Sequence, residues 1–181
     1  MKTESTVLYV LRLALTLLAI TAVVAAALAG VNSITKPEID KLTAQKTQDA
    51  SEAVLPGGGE VVDFPATDLV SKVYASETGY AVEVKPGGFD NTITMMVGVD
   101  KAGNVLGIDI ISHTETAGLG AVADAATPAG VSFRQQFVGQ SGSVSVTKDG
   151  GQIDANTGAT ITSRAVCAGV NAALEVVGKM G

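Results

Sequence analysis

Two short segments carry most of the groups that could do chemistry. The first is Asp154-Ala-Asn-Thr-Gly-Ala-Thr-Ile-Thr-Ser163. It leads from a turn into the last apolar-periodic stretch of the chain, so its hydroxyls fall at a helix start. Free backbone N–H groups and the positive end of a helix dipole suit a phosphate there. Gly158 and Ala159 let the backbone come close to a ligand, and Thr157, Thr160, Thr162 and Ser163 add hydroxyls. The same residue types also make an ordinary N-cap, and on these residues alone both readings stand. The second segment is the polar loop Ser112-His-Thr-Glu-Thr-Ala-Gly-Leu-Gly120. A lone histidine beside a lone glutamate is more often a loop hydrogen-bond pair than a catalytic dyad.

Composition removes several other chemistries. The chain has 181 residues, one cysteine (Cys167) and one histidine (His113). That excludes an internal disulfide, a Cys-rich zinc or iron–sulfur site held by this chain alone, and a multi-histidine metal site. Cys167 reads as a small core residue of the last helix. Net charge is −6, and no basic stripe is visible, so nucleic-acid binding is not expected. No Gly-x-Gly-x-x-Gly follows a strand, so the chain has no nicotinamide site of its own. No catalytic residue and no metal ligand is assigned.

The elements that must position the two segments can be read by period. Glu60 to Phe64, Val70 to Ala75 and Tyr80 to Val84 are β-prone runs. Thr92 to Asp100 and Val105 to Ser112 flank Lys101-Ala-Gly-Asn, a hairpin signal. Val131 to Val138 reads as a short helix and Ser143 to Thr147 as an alternating strand. Thr162 to Val177 carries an apolar face at helical spacing: Ala165, Val166, Ala168, Gly169, Ala172, Ala173, Val176 and Val177. The expected class is α+β, an antiparallel sheet with few helices. With 4 Phe, 3 Tyr and no Trp, its core must be mostly small and aliphatic.

Ahead of this domain, Val7 to Val31 is nearly unbroken apolar sequence, LALTLLAITAVVAAALAGV after Arg12. At 1.5 Å rise per residue it is long enough to cross a hydrocarbon core of ~30 Å. It is longer than the usual apolar region of a cleaved signal peptide, so an uncleaved anchor is the preferred reading. Lysines and arginines on both sides leave orientation open by charge alone. Thr35-Lys-Pro-Glu looks like a new helix start with Thr35 as cap. A stalk helix would run from there to the break at Leu55-Pro-Gly-Gly-Gly. The expected organisation is 1–31 membrane anchor, 32–59 stalk and linker, and 60–181 ligand-binding domain.

The Thr-rich segment closely resembles the flavinylation motif of the FMN-binding domain family: an acidic residue, two variable residues, then Ser/Thr-Gly-Ala-Thr. Asp154, Thr157, Gly158, Ala159 and Thr160 match it position by position. The resemblance implies that Thr160 carries FMN through a phosphoester, installed by a dedicated flavin transferase. The His113 loop resembles the His-x-Glu-Thr-Pro-Gly-Leu-Gly signature of Rnf-type G subunits and of the related C subunit of the sodium-pumping NADH:quinone reductase. Ala117 stands where proline is usual. In those relatives the loop lies against the flavin, which implies contacts from Glu115, Thr116, Gly118, Leu119 and Gly120. The order and spacing of the two motifs make the resemblance specific. The short chain and the run Thr160-Ile-Thr-Ser-Arg-Ala-Val favour the Rnf G subunit over the quinone-reductase C subunit.

That resemblance implies a single-pass protein of the cell (inner) membrane, with its flavin domain on the extracytoplasmic side. It would be an electron carrier within an ion-translocating ferredoxin:NAD oxidoreductase. The other membrane and peripheral subunits would be its partners, and no complete active site would lie on this chain. The alternatives are a free-standing outer-face flavin reductase and a non-redox tethered binding module. Co-purifying subunits would exclude the first, and flavin colour surviving denaturation would exclude the second.

Overall fold

The computed structural model describes residues 3–65 and 67–180. The chain divides into two compact units, Met1–Ala44 and Gln45–Gly181.

The first unit is helical throughout its described part. It belongs to helix α1, Thr3–Val54, which contains a segment of mean hydropathy 2.4 with none of its residues buried. Among the described residues this is the one helix long and apolar enough to cross a membrane. The sequence places a fresh helix start at Thr35, but the helix runs through that point without a break. The Thr35 hydroxyl donates back to the Val31 carbonyl at 3.0 Å instead of capping. Pro37 lies inside the helix, where its ring supplies no N–H to the preceding turn.

The second unit is built on a five-stranded antiparallel meander in chain order. Its strands are β1 (Glu60–Val62), β2 (Val70–Ala75), β3 (Gly79–Val84), β4 (Thr94–Asp100) and β5 (Val105–Ser112). The β4–β5 turn is fixed by Asp100. Its Oδ1 accepts the N–H groups of Ala102 and Asn104 at 2.9 and 2.8 Å, and Gly103 takes φ +84°. Successive side chains of a strand point to opposite faces, and both faces of this sheet are covered. On one, Val82, Val84, Met95, Val97, Ile108 and Ile110 pack with Ala165, Val166, Val170, Ala173 and Val177 of α3 (Thr160–Met180). On the other, Ala81, Met96 and Ile111 pack with Ala50, Val54 and Leu55 at the end of α1. The compact unit therefore begins within α1, at Gln45.

Helix α2 (Pro128–Gln135) closes the β5 side of the core with Phe133, whose ring meets Phe137 edge-on at 5.4 Å. It starts earlier than the apolar pattern indicates. Thr127 caps Gly130 N–H at 3.4 Å, and Pro128 follows as first helical residue. The strand expected at Ser143–Thr147 does not form. Val144 takes its backbone partners from one side chain instead: Asn171 Oδ1 accepts its N–H at 2.7 Å, and Asn171 Nδ2 donates to its carbonyl at 2.8 Å. What remains of strand character is a single parallel bridge, Val146 to Ile153.

Candidate functional site

The loop before α3 turns at Gly158, which has φ +76°. A Cβ there would lie 2.9 Å from Leu119 Cδ2, so the two Thr- and Gly-bearing loops touch at this glycine. The contact separates two clefts. One, of about 260 Å³, is lined by Phe89, Glu115, Thr116, Leu119, Gly120, Lys148 and the run Gly158 to Thr162. The other, of about 390 Å³, is lined by Gly118, Val122, Phe133 and Gln136, and by Asp154 to Thr157. The expected site residues are thus divided. Gly158, Ala159, Thr160, Glu115, Thr116, Leu119 and Gly120 share the first cleft, while Asp154, Thr157 and Gly118 line the second.

Thr160 is the first residue of α3 and is half-buried. The N–H groups of a helix's first turn have no carbonyl one turn earlier within the helix, and those of α3 belong to Thr160, Ile161, Thr162 and Ser163. Ser163 is fully buried. Its N–H and hydroxyl both donate to the Ala159 carbonyl, at 3.0 and 2.9 Å, and its Oγ accepts Asn156 N–H at 3.1 Å. The bend before the helix is held by its own first turn. Lys148 reaches in from the turn Thr147–Asp149 and donates from Nζ to Thr160 Oγ1 at 3.1 Å. Beside it, Asp149 accepts two hydrogen bonds from the Arg164 guanidinium at 2.7 and 2.6 Å. That hydrogen-bonded cation holds the Asp149 carboxyl below its usual range.

Glu115 ties the opposite wall. It is buried, and both its oxygens are engaged. Oε1 accepts Phe89 N–H at 2.8 Å and Asp90 N–H at 3.4 Å. Oε2 accepts the Thr162 hydroxyl in a short hydrogen bond. One carboxylate thus joins three stretches of chain: the turn after β3, the loop after β5 and the first turn of α3. Gly120 and Gly88 are small because a Cβ on either would run into this carboxylate. His113 takes part through the backbone: Nδ1 accepts Glu115 N–H at 3.2 Å, and Nε2 stands 3.6 Å from Asp124 Oδ2. Cys167 lies in the core, with burial pushing its thiol up to about 11. It stays protonated and inert at neutral pH, as its place on the helix led one to expect.

Sequence reasoning missed Phe89, Lys148 and Ile161 as cleft residues, and it named the Thr162 hydroxyl without its partner Glu115. Lys148 reads in the sequence only as the start of the Lys148-Asp-Gly-Gly turn, because it meets Thr160 only through the folded turn. Thr162 and Glu115 are far apart in the chain, and nothing in either neighbourhood announces the other. Phe89 is an exposed aromatic in a chain that has few, which was the one available hint.

Comparison with known proteins adds a second line. Residues 88–175 match the FMN-binding domain family, a span that contains both clefts. The chain is 33% identical over 194 residues to the G subunit of the Na(+)-translocating ferredoxin:NAD(+) oxidoreductase complex of Acetobacterium woodii, covering 92% of this chain and 91% of that one. It is 32% identical over 176 residues to the G subunit of the ion-translocating oxidoreductase complex of Methanosarcina acetivorans, covering 90% and 91%. The protein of the same name from Vibrio vulnificus is 42% identical over 104 residues, covering 55% of this chain and 49% of that one.

Proposed function

We infer the function from one premise: the chain belongs to the family of G subunits of the ion-translocating oxidoreductase complexes, and it contains an FMN-binding domain. It is an electron-transfer flavoprotein component of such a complex. Its finer role is proposed as that of a carrier within an Rnf-type ferredoxin:NAD oxidoreductase, with FMN joined through a phosphoester to Thr160.

The observation that carries this reading is the position of the Thr160 hydroxyl. It sits in a cleft at a helix N-terminus, with a lysine ammonium on its oxygen. The residues fit a phosphate-bearing group. The helix start and Lys148 favour negative charge, and Gly158 leaves room where a side chain would crowd Leu119. A cleft of about 260 Å³ is smaller than the ~300–1,000 Å³ of pockets that enclose a whole ligand. It would suit the phosphate and the chain next to it, and Leu119, Phe89 and Ile161 would offer the ring apolar surface. These three are exposed large apolar side chains. The flavin supplies the redox chemistry when bound. The protein would fix its position through Thr160 and the cleft walls, and so fix the distance over which electrons pass to a neighbouring subunit.

Glu115 serves this arrangement as a brace. Its carboxylate is taken by the Thr162 hydroxyl and by the N–H groups of Phe89 and Asp90. The polar flavin contacts assigned to this wall therefore fall to Thr116 and to backbone groups. The exposed apolar face of α1 is proposed as a membrane anchor, with the flavin domain on the extracytoplasmic side and a flavin transferase required for maturation.

The test is intact mass and peptide mapping of protein from its native membrane. The expected mass exceeds the chain by one FMN less water, with the adduct on the peptide containing Thr160. An adduct on Thr157 or Thr162, or none, overturns the assignment. N-terminal sequencing of the same sample should find residues 7–31 still attached; a mature N-terminus near Gly30 would refute the anchor.

A further inference from the structure

We propose that Lys148 is the counter-ion of the phosphoryl group that tethers the flavin at Thr160, an inference that rests on the Thr160 reading above. Lys148 sits in the turn Thr147–Asp149, which is fixed on both sides. Thr147 N–H bonds the Ile153 carbonyl at 2.8 Å, and Gly150 closes the turn at φ +84°. The neighbouring Asp149 is bound to Arg164 of α3 by two hydrogen bonds. The lysine therefore starts from a point already anchored to the helix that carries Thr160.

The charges around it are unbalanced. Asp149 and Arg164 satisfy each other, and Lys148 makes no ion pair among the described residues. Its ammonium rests on a neutral hydroxyl at the first residue of α3. A helix N-terminus carries partial positive charge and favours anions over cations, and α3 has no acidic residue in its first turn. A second positive charge placed there is unfavourable until an anion arrives. A phosphoester on Thr160 Oγ1 puts its anionic oxygens two bonds beyond the atom Lys148 already touches. The ammonium then has an ionised acceptor in place of a neutral one, an N⁺–H···O⁻ pair of opposite charges. The Asp149–Arg164 pair keeps the nearest carboxylate from competing for the ammonium.

Two measurements on the full chain in detergent decide this. In the first, wild-type protein from a host with a flavin transferase is compared with Thr160→Ala from the same host. Both are briefly acetylated with an amine-reactive reagent, and each lysine is quantified by peptide mass. Lys148 should label several-fold more slowly in the loaded wild type, and Lys101, in the β4–β5 turn, equally in both. Equal labelling of Lys148 when the adduct on Thr160 is present overturns the proposal. In the second, the phosphorus NMR resonance of the phosphoester is compared in wild type, Lys148→Met and Lys148→Arg. It should move in the methionine variant and return toward the wild-type position in the arginine variant. An unmoved resonance in Lys148→Met overturns it too. Should Lys148→Met not take up flavin, the labelling result on wild type still decides. If wild-type Thr160 carries no adduct at all, the Thr160 reading fails and the counter-ion role falls with it.

Discussion

The two clefts on either side of Gly158 are made from the same two loops, yet they are held in different ways. Before the glycine, the loop is pinned by its backbone. Gln136 Oε1 accepts Asp154 N–H at 2.7 Å, its amide donates to the Asp154 carbonyl at 3.2 Å, and Asn156 N–H bonds Ser163. The side chains of Asp154 and Thr157 are left exposed, and Asp154 makes no ion pair among the described residues. After the glycine, it is the side chains that are engaged: Thr160 by Lys148, and Thr162 by Glu115. A short motif that looks like one site is thus two surfaces. The first half offers unengaged polar groups to solvent, where another protein can read them. The second half lies in a cleft, where a group can be held.

That comparison is broken most completely at the two threonines. Thr160→Ala should abolish the covalent flavin, and Thr157→Ala should leave it in place, by intact mass of each variant from a host with flavin transferase. The reverse outcome would exchange the roles of the clefts. The next largest effect is expected at Glu115. Glu115→Ala leaves the buried Thr162 hydroxyl and the Phe89 N–H without their acceptor, at a cost of about 1–3 kcal/mol, measurable by urea unfolding of the purified protein. Glu115→Gln keeps one carbonyl oxygen and should cost less. A Glu115→Ala variant as stable as wild type would show that the brace does not hold the cleft together. The smallest change in stability is expected at Asp154. Asp154→Asn should alter it by no more than about 0.5 kcal/mol, as for a surface substitution, yet lower the fraction of chains carrying flavin. If stability and loading are both unchanged, the half of the motif before Gly158 is not read during maturation.

Much of the sheet was legible because its signals are local. β-prone runs marked β2 and β3, two apolar runs about a turn signal marked β4 and β5, and the Asp100–Asn104 turn carries its own hydrogen bonds. The start of α3 was legible to within two residues, Thr162 against Thr160, for the same reason, since Ser163 and Ala159 close it within a single turn. The failures came where a distant side chain replaced a local partner. Val144 reads as a strand residue, but Asn171 satisfies its backbone. Thr35 reads as a cap, but the helix before it continues, so its hydroxyl turns back to Val31. The pairings of Lys148 with Thr160 and of Thr162 with Glu115 exist only in the folded chain. Thr127 and Pro128, in contrast, were a readable cap and first helical residue that the apolar pattern of α2 obscured.

The seating of α1 on the sheet bears on how a water-soluble piece of this protein should be cut. The glycines at 57–59, two of them at positive φ, look like the natural place to trim away the apolar N-terminal segment. Cutting there would remove Ala50, Val54 and Leu55 and lay bare Ala81, Met96 and Ile111. The fit at this point is close: a Cβ on Gly98 would lie 2.9 Å from the carbonyl carbon of Val54. A fragment begun upstream of Gln45 keeps the cover on that face. One begun at Gly59 exchanges a greasy helix for a greasy sheet and should aggregate.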